Sequence, residues 1–210
     1  MKKDKTTTFT DICRQKSKWL ADAFAKLFLN LGFTANMITI IGCMAHVVAF
    51  WLIYQSHFLT AGILLLVFAC ADVVDGTMAR MENDGEGTKF GGVLDSVTDR
   101  ISETLVLGGI LLYYTSTDNS VPYVILCIIA IMGSYLVPYT RAKGELYGLD
   151  MRLGILTRVE RYIVLLISLI CGFPIIGIAV IALFSNITAL QRMLYIKKNV
   201  EDKDGNSERD

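Results

Sequence analysis

Long apolar runs separated by short polar clusters make up most of this chain of 210 residues. About 20 consecutive apolar residues are needed for a helix to cross the hydrocarbon core of a bilayer, so the runs predict transmembrane helices. Six runs approach or reach this length, and they cover residues 36–54, 59–81, 90–114, 121–146, 155–172 and 174–196. The predicted fold class is therefore an all-α integral membrane protein with six transmembrane helices.

The segment before the first run has a different pattern. Apolar side chains such as Trp19 and Phe24 recur there at roughly helical spacing, and lysines such as Lys16 and Lys26 lie between them. This pattern predicts an amphipathic helix lying in the membrane interface. A soluble helix packed on another domain is the weaker alternative, because no second domain is expected. The predicted division of the chain is an N-terminal cytoplasmic segment with this helix, a six-helix transmembrane domain and a disordered cytoplasmic tail, at residues 1–34, 35–197 and 198–210.

Lysine and arginine are distributed unevenly along the chain, which predicts the orientation of the spans. All 20 of them lie in the N-terminal segment, around residues 80–100, around residues 141–161, or from Arg192 onward. Since cytoplasmic loops carry the excess of Lys and Arg, both termini and the charged connections are expected on the cytoplasmic side. The formal net charge is zero and gives no reason to expect nucleic acid as a partner.

Four aspartates lie where the second and third apolar runs meet the charged connection between them. Asp72 and Asp75 are three residues apart, and Asp95 and Asp99 are four apart, so each pair lies on one face of its helix. Because the connection is short, the two helices are expected to be antiparallel neighbours with the pairs facing each other. Carboxylates in such a position are unfavourable unless they are paired or bind cations. An all-carboxylate set predicts one or two hard divalent cations, Mg²⁺ or Mn²⁺.

Two other interpretations of these aspartates stay open: they can be solvated caps, or Arg80 and Arg100 can neutralise two of them. Solvated caps do not readily explain four aspartates on two facing helices. Ion pairing with the two arginines would leave two carboxylates without a counter-ion. Gly76, Ala79 and Gly91 leave room either for close helix packing or for a ligand against the backbone. Arg80 favours the ligand, because a guanidinium one turn beyond the acidic pair can bind a phosphate with two hydrogen bonds. Metal and arginine together predict a diphosphate site.

These residues resemble the signature of the CDP-alcohol phosphotransferase family, D-x-x-D-G-x-x-A-R followed after a spacer by G-x-x-x-D-x-x-x-D. The chain has DVVDGTMAR from Asp72 to Arg80 and GGVLDSVTD from Gly91 to Asp99, which match all eight defined positions. The ten-residue spacer MENDGEGTKF is longer than the family's usual one and predicts a wider cytoplasmic loop. FTANMITIIG at residues 33–42 is similar to the family's T-P-N-x-x-T entry to its first span, with alanine in place of proline.

The resemblance implies a role for each of these residues. The metal ligands would be Asp72, Asp75, Asp95 and Asp99, and Asp99 would also act as the general base. The CDP group would be bound by Asn36, Thr39, Asp72, Gly76, Ala79, Arg80 and Gly91. For Asn36 and Thr39, helix capping is an equally open alternative. Members of the family are usually homodimers with a site in each protomer, so a homodimer is also implied.

The implied reaction is displacement of CMP from a CDP-linked lipid, CDP-diacylglycerol or CDP-archaeol, by the hydroxyl of an acceptor. Basic residues between the fourth and fifth runs favour a phosphorylated acceptor, and those expected to bind its phosphate are Arg141, Lys143, Arg158 and Arg161. These basic residues can instead reflect the positive-inside bias or contact anionic lipid, and this alternative explains Arg152 well. TRAKGE and RVER are most similar to the branch that uses inositol phosphate, the phosphatidylinositol phosphate and archaetidylinositol phosphate synthases. Glycerol 3-phosphate, as in a phosphatidylglycerol phosphate synthase, is the second candidate acceptor.

Two non-enzymatic classes compete with this interpretation. A cation transporter also places carboxylates inside the membrane, but it would need polar groups deeper in the spans, where the second and third runs are apolar. A non-catalytic lipid-binding or scaffold protein would have no use for Arg80 beside four carboxylates.

Overall fold

Helices account for all the regular structure that a computed structural model describes, which covers residues 9–82, 87–117 and 120–207, without the side chains of 9–18, 70–71 and 201–207. The helices are α1 (Phe9–Asn30), α2 (Ala35–Tyr54), α3 (Phe58–Glu82), α4 (Lys89–Thr117), α5 (Val121–Leu146), α6 (Arg158–Ile170) and α7 (Pro174–Ser207). The predicted all-α class is confirmed. The centre of the spacer, residues 83–86, lies outside the described residues.

Four helices in the described part of the chain, α2, α3, α5 and α7, are long and apolar enough to cross a membrane. The predicted third and fifth spans are also helical, as α4 and α6, but they differ from these four. Helix α4 carries Asp95, Asp99 and Glu103 in its first half, which lowers its apolar character. Helix α6 has 13 residues; at a rise of 1.5 Å per residue this is about 20 Å, less than the roughly 30 Å of a hydrocarbon core.

Helix α6 is shorter than the predicted fifth span because it begins only at Arg158. The predicted run starts at residue 155, where the backbone is instead bonded to α7: the amide groups of Ile155 and Leu156 both donate to the Thr188 hydroxyl oxygen, at 3.2 and 3.1 Å. At the other end of the chain, α7 continues beyond residue 197 to Ser207. The predicted three-part division of the chain stays a prediction.

The chain divides into two compact units, and the described residues of the first lie within Met1–Ala45 and Val67–Asp99. In this unit α1 ends at Asn30, and Gly32 follows with a φ of +84°, which glycine adopts readily. The Phe33 amide then donates back to the carbonyl of Phe28 at 3.0 Å, which satisfies the helix end in a Schellman motif. A small apolar core joins α1, α2 and α3 and is formed by Ala25, Ala35, Ile38, Val74 and Met78.

Helix α1 occupies the segment that the sequence predicts to form an interfacial amphipathic helix; its amphipathic, interfacial character stays a prediction. Among its described side chains, Ala21 and Ala25 are buried, whereas Trp19, Phe24 and Leu27 are exposed large hydrophobic residues. Its apolar residues therefore lie on the outside of the unit as well as in its core.

The second unit comprises His46–Leu66 and Arg100–Asp210 and holds the larger core. Helix α5 packs closely along α7 at Gly133, where a Cβ would lie 2.9 Å from Cβ of Ser185. The Asn186 amide group on α7 donates across this contact to the carbonyl of Ile129 at 3.0 Å. The close approach of α5 and α7 thus depends on a glycine and on an interhelical hydrogen bond.

Candidate active site

All four aspartates predicted to bind metal lie in the first unit, two near the end of α3 and two near the start of α4. Asp75 is buried, with 7% of its surface exposed, whereas Asp72 and Asp95 are exposed and Asp99 is half-buried. The negative charges of Asp72 and Asp95 both act on Asp75. The structure therefore gathers carboxylates from two helices into one electrostatic cluster, and Asp99 follows one helical turn after Asp95.

The buried carboxylate of Asp75 is held by α2. Thr39 Oγ1 donates to Asp75 Oδ2 at 2.7 Å, and it also lies 3.2 Å from the carbonyl oxygen of Ala35 one turn earlier. Capping of α2 comes from another residue, because the hydroxyl oxygen of Thr34 accepts from the Met37 amide at 3.4 Å. Thr39 thus faces a predicted metal ligand, and the capping residue of α2 is Thr34.

Gly91 lies in the first turn of α4 beside two polar side chains. Thr88 caps this helix, since its Oγ1 accepts a hydrogen bond from the Gly91 amide at 2.9 Å. A Cβ on Gly91 would lie 2.8 Å from that oxygen and 3.5 Å from Oδ1 of Asn36. Asn36, predicted to contact the CDP group, therefore adjoins the start of α4, and a larger side chain at Gly91 would disturb the cap.

Arg80 is exposed at the last turns of α3 and folds back along its own helix. Its Nη2 donates to the Thr77 hydroxyl at 3.2 Å, while Thr77 donates to the carbonyl of Val73 at 2.8 Å. A Cβ on Gly76 would lie 3.7 Å from Arg80 Nη1. Among the described residues, the guanidinium of Arg80 is thus the neighbour of Gly76, whereas Ala79 packs against the small core of the unit.

The donor chemistry of the cluster fits a hard divalent cation. Carboxylate oxygens are the ligands that Mg²⁺ and Mn²⁺ favour. As the side chains stand, no group of three or more His, Cys, Asp or Glu residues in the described part of the chain is close enough to hold a metal ion. Asp72 and Asp95 are exposed, and exposed side chains change rotamer within picoseconds to nanoseconds. A bound cation would therefore require reorientation of exposed carboxylates towards Asp75.

The residues predicted to bind the acceptor phosphate all belong to the second unit. Arg141 pairs with Glu145 one turn later on α5, at 2.7 Å, and both side chains are exposed. The amino group of Lys143 lies 5.7 Å from the ring centre of Tyr139, a cation–π distance. Arg158 is exposed at the first residue of α6. These three side chains are accessible, as binding of a phosphate requires.

Arg161 differs from the other three because it is buried in an ion pair. Its Nε and Nη2 donate to the two carboxylate oxygens of Glu103, at 2.6 and 3.0 Å. The side chains are only 3% and 15% exposed. Glu103 was not among the predicted site residues, yet it accepts hydrogen bonds from two nitrogens of Arg161, a predicted phosphate ligand. An acidic residue one turn beyond Asp99 in an apolar helix was the available signal for it.

Arg192 is a second buried guanidinium that the sequence analysis left unassigned, and it is 3% exposed on α7. It donates to the carbonyl of Val137 on α5 at 2.6 Å and to that of Leu153 at 2.9 Å. Thr188 on α7 accepts hydrogen bonds from the amides of Ile155 and Leu156. Arg192 and Thr188 thus bind the connection between α5 and α6 to α7. A lone arginine within an apolar run is the feature by which the sequence could have revealed it.

Residues 33–196 match the family described as CDP-alcohol phosphatidyltransferase. The chain is 36% identical over 189 residues to an archaetidylinositol phosphate synthase of Pyrococcus horikoshii, an alignment that covers 90% of this chain and 96% of the relative. It is also similar to the crystal structure of Mycobacterium tuberculosis phosphatidylinositol phosphate synthase with CDP-DAG bound, with a TM-score of 0.78, 30% identity and coverage of 84% of this chain and 92% of that one. For that enzyme in complex with manganese and citrate, the TM-score is 0.76 at 31% identity, and the coverage is 84% and 88%.

Proposed function

This chain belongs to the CDP-alcohol phosphatidyltransferase family, and we propose that it makes a phospholipid by transferring a phosphatidyl-type group from a CDP-linked lipid to a phosphorylated polyol, with release of CMP. The observation that carries the proposal is the cluster of family-signature carboxylates around the buried Asp75, on two helices. The donor is CDP-diacylglycerol or its archaeol counterpart. Each of these two donors has a lipid tail that can stay in the bilayer while its nucleotide is bound at the polar edge of the membrane.

The metal ligands in this proposal are Asp72, Asp75, Asp95 and Asp99, which would hold one or two Mg²⁺ or Mn²⁺ ions. Support comes from the all-carboxylate donor set and from the solved relative in complex with manganese. When bound, such an ion neutralises charge that develops on the diphosphate and the leaving CMP.

The remaining steps are assigned to side chains of the chain itself. Arg80, whose Nη1 lies close to Gly76, would bind the diphosphate with a charge-assisted hydrogen bond, and Asn36, Ala79 and Gly91 would border the nucleotide. Asp99 would accept the proton of the acceptor hydroxyl as it attacks the phosphorus that bears the lipid. Such a positioned base contributes about 10²–10⁴-fold to a rate, and orientation of the two substrates contributes much of the rest.

Inositol phosphate is the acceptor that we propose, with glycerol 3-phosphate as the alternative. The relatives named as archaetidylinositol phosphate and phosphatidylinositol phosphate synthases support this choice, as does the set of basic residues on α5 and α6. Arg141, Lys143 and Arg158 are the accessible members of that set, and Arg161 is fixed by Glu103. We therefore propose the accessible members, ahead of Arg161, as the ligands of the acceptor phosphate.

The membrane arrangement follows from the same proposal. α4 and α6 would complete a set of six spans, with both termini and the active site on the cytoplasmic side, as the distribution of Lys and Arg indicates. Helix α1 would lie in the interface with exposed residues such as Trp19 and Phe24 towards the lipid. The functional unit would be a homodimer.

Metal dependence provides the test of the proposal. Purified protein with CDP-diacylglycerol and inositol phosphate should release CMP only when Mg²⁺ or Mn²⁺ is present, and EDTA should abolish the release because the diphosphate charge is then not neutralised. The measurement is CMP formed in a panel of acceptors that includes glycerol 3-phosphate, serine and free inositol. If no phosphorylated polyol supports CMP release in the presence of either metal and of either CDP-lipid, the proposed function is wrong.

An arginine comparison tests the acceptor site. Arg158→Ala should raise the KM for inositol phosphate by about 5–10-fold with little change in the KM for the CDP-lipid, since a charge-assisted hydrogen bond to phosphate is lost. Arg152→Ala is the matched control, because Arg152 is exposed and pairs with Asp150 at 3.4 Å; its KM values should stay unchanged. Equal KM values for the Arg158 variant and the unmodified protein would exclude Arg158 from phosphate binding.

A further inference from the structure

We propose that Thr39 is a positioning residue for metal binding: its hydroxyl fixes the orientation of the Asp75 carboxylate, so that the carboxylate is prepared to bind the divalent cation. This inference rests on the proposed function and assigns to Thr39 a role other than direct contact with the nucleotide. The geometry that carries it is the 2.7 Å hydrogen bond from Thr39 Oγ1 to Asp75 Oδ2, between two helices and across 36 positions of the sequence.

Asp75 is the carboxylate for which orientation matters most. It is the buried member of the cluster, at 7% exposure, so solvent contributes little to holding or turning it. A carboxylate rotates about its terminal torsion between broad, roughly two-fold minima. A hydrogen bond to one oxygen selects one of these orientations and directs the other oxygen to a defined position. Partners of this kind hold ligating carboxylates in many metal sites.

The position of Thr39 is itself fixed by packing. Its neighbours Ala35 and Ile38 on α2 are buried in the same core as Val74 and Met78, which flank Asp75 on α3. The Ala35 amide also faces Oε2 of Glu82 at 3.4 Å, close to the end of α3. The first turn of α2 is therefore attached to α3, and this packing fixes the backbone of Thr39 relative to Asp75.

The short hydrogen bond also argues against a role for Thr39 as a free ligand for the CDP group. A threonine hydroxyl has one proton to donate, and here the nearer acceptor is the carboxylate at 2.7 Å, with the Ala35 carbonyl at 3.2 Å. Donation to a phosphate oxygen would require loss of the bond to Asp75. Asn36, whose Oδ1 lies beside the first turn of α4, remains assigned to the nucleotide side of the site.

Three substitutions test the proposal by direct measurement of Mn²⁺ binding. Thr39→Val removes the hydroxyl and keeps the shape, and Thr39→Ser keeps the hydroxyl. Thr115→Val is the matched control, because Thr115 donates to the Leu111 carbonyl of its own helix. The full-length protein in detergent is titrated with Mn²⁺ in the absence of substrates, and free Mn²⁺ is followed by electron paramagnetic resonance. Thermal unfolding of the metal-free proteins shows whether each variant is folded; Thr39→Ala replaces the valine variant if that one does not fold.

We expect Thr39→Val to weaken Mn²⁺ binding by about 10–100-fold, the usual effect of removing such a partner, and Thr39→Ser to restore it to within about threefold of the unmodified protein. The control should bind Mn²⁺ as the unmodified protein does. Unchanged Mn²⁺ affinity in Thr39→Val would overturn the inference, and a raised KM for the CDP-lipid in that variant would then assign Thr39 to the nucleotide. If the unmodified protein itself binds no Mn²⁺, both the inference and the metal-dependent function are wrong.

Discussion

Replacement of Asp99 by asparagine is expected to lower kcat for CMP release by about 10²–10⁴-fold, the contribution of a positioned general base. Asparagine has nearly the same shape as aspartate but cannot take up the proton of the acceptor hydroxyl. Asp99 lies on α4 one turn after Asp95 and is half-buried, so the substitution should leave the helix intact. The measurement is the rate of CMP release from CDP-diacylglycerol with saturating inositol phosphate and Mn²⁺.

Binding measurements separate the two roles assigned to Asp99. If it is chiefly the base, the variant should still bind Mn²⁺ and the CDP-lipid with affinities close to those of the unmodified protein. If binding is lost together with turnover, Asp99 is chiefly a metal ligand, and the assignment of the base is wrong. Asp150→Asn is a suitable control, since Asp150 is an exposed aspartate that pairs with Arg152 in the connection after α5.

The second large effect concerns stability. Glu103→Gln should reduce the free energy of unfolding by about 3–5 kcal/mol, because it leaves the charge of a buried arginine without its counter-ion. The pair is bidentate, at 2.6 and 3.0 Å, and the Arg161 side chain is only 3% exposed. Thermal or denaturant-induced unfolding in detergent measures the loss, and a lower yield of folded protein is the corresponding observation during purification.

Two further variants make this prediction specific. Glu145→Gln disrupts the exposed pair with Arg141, whose side chains are 58% and 51% exposed, and should cost about 1 kcal/mol or less. Glu103→Leu combined with Arg161→Met removes both charges and should recover most of the stability, as apolar replacement of buried ion pairs often does. A Glu103→Gln variant as stable as the unmodified protein would contradict this prediction.

The double variant also tests the function of Arg161. If Arg161 serves only the fold, the stable double variant should keep the KM for inositol phosphate. If the KM rises in a protein of normal stability, Arg161 also binds the acceptor, as the sequence analysis expects, and Glu103 then orients it for that purpose. The two outcomes differ in kinetics alone, because stability is matched.

The helical segments were largely predictable from local sequence. The predicted runs 36–54, 59–81 and 121–146 correspond to α2 (Ala35–Tyr54), α3 (Phe58–Glu82) and α5 (Val121–Leu146). Agreement is close because a run of apolar residues of sufficient length forms a helix in hydrocarbon whatever its neighbours are. The predicted fifth span differs at its start. Its first residues have backbone amides bonded to Thr188, and a contact across more than thirty positions has no local signature.

The sequence by itself determined the all-α class, the family and the aspartates proposed to bind metal, since each of these depends on spacing within one helix or on a contiguous signature. Only the tertiary structure decided which partner each polar side chain has. Thr39 could cap a helix or reach a ligand, and its hydrogen bond to Asp75 depends on how α2 packs against α3. Arg161 had the sequence context of a phosphate ligand, yet Glu103, 58 positions away, occupies it. Such pairings follow from the rotation and depth of packed helices, which the whole core sets and no single segment encodes.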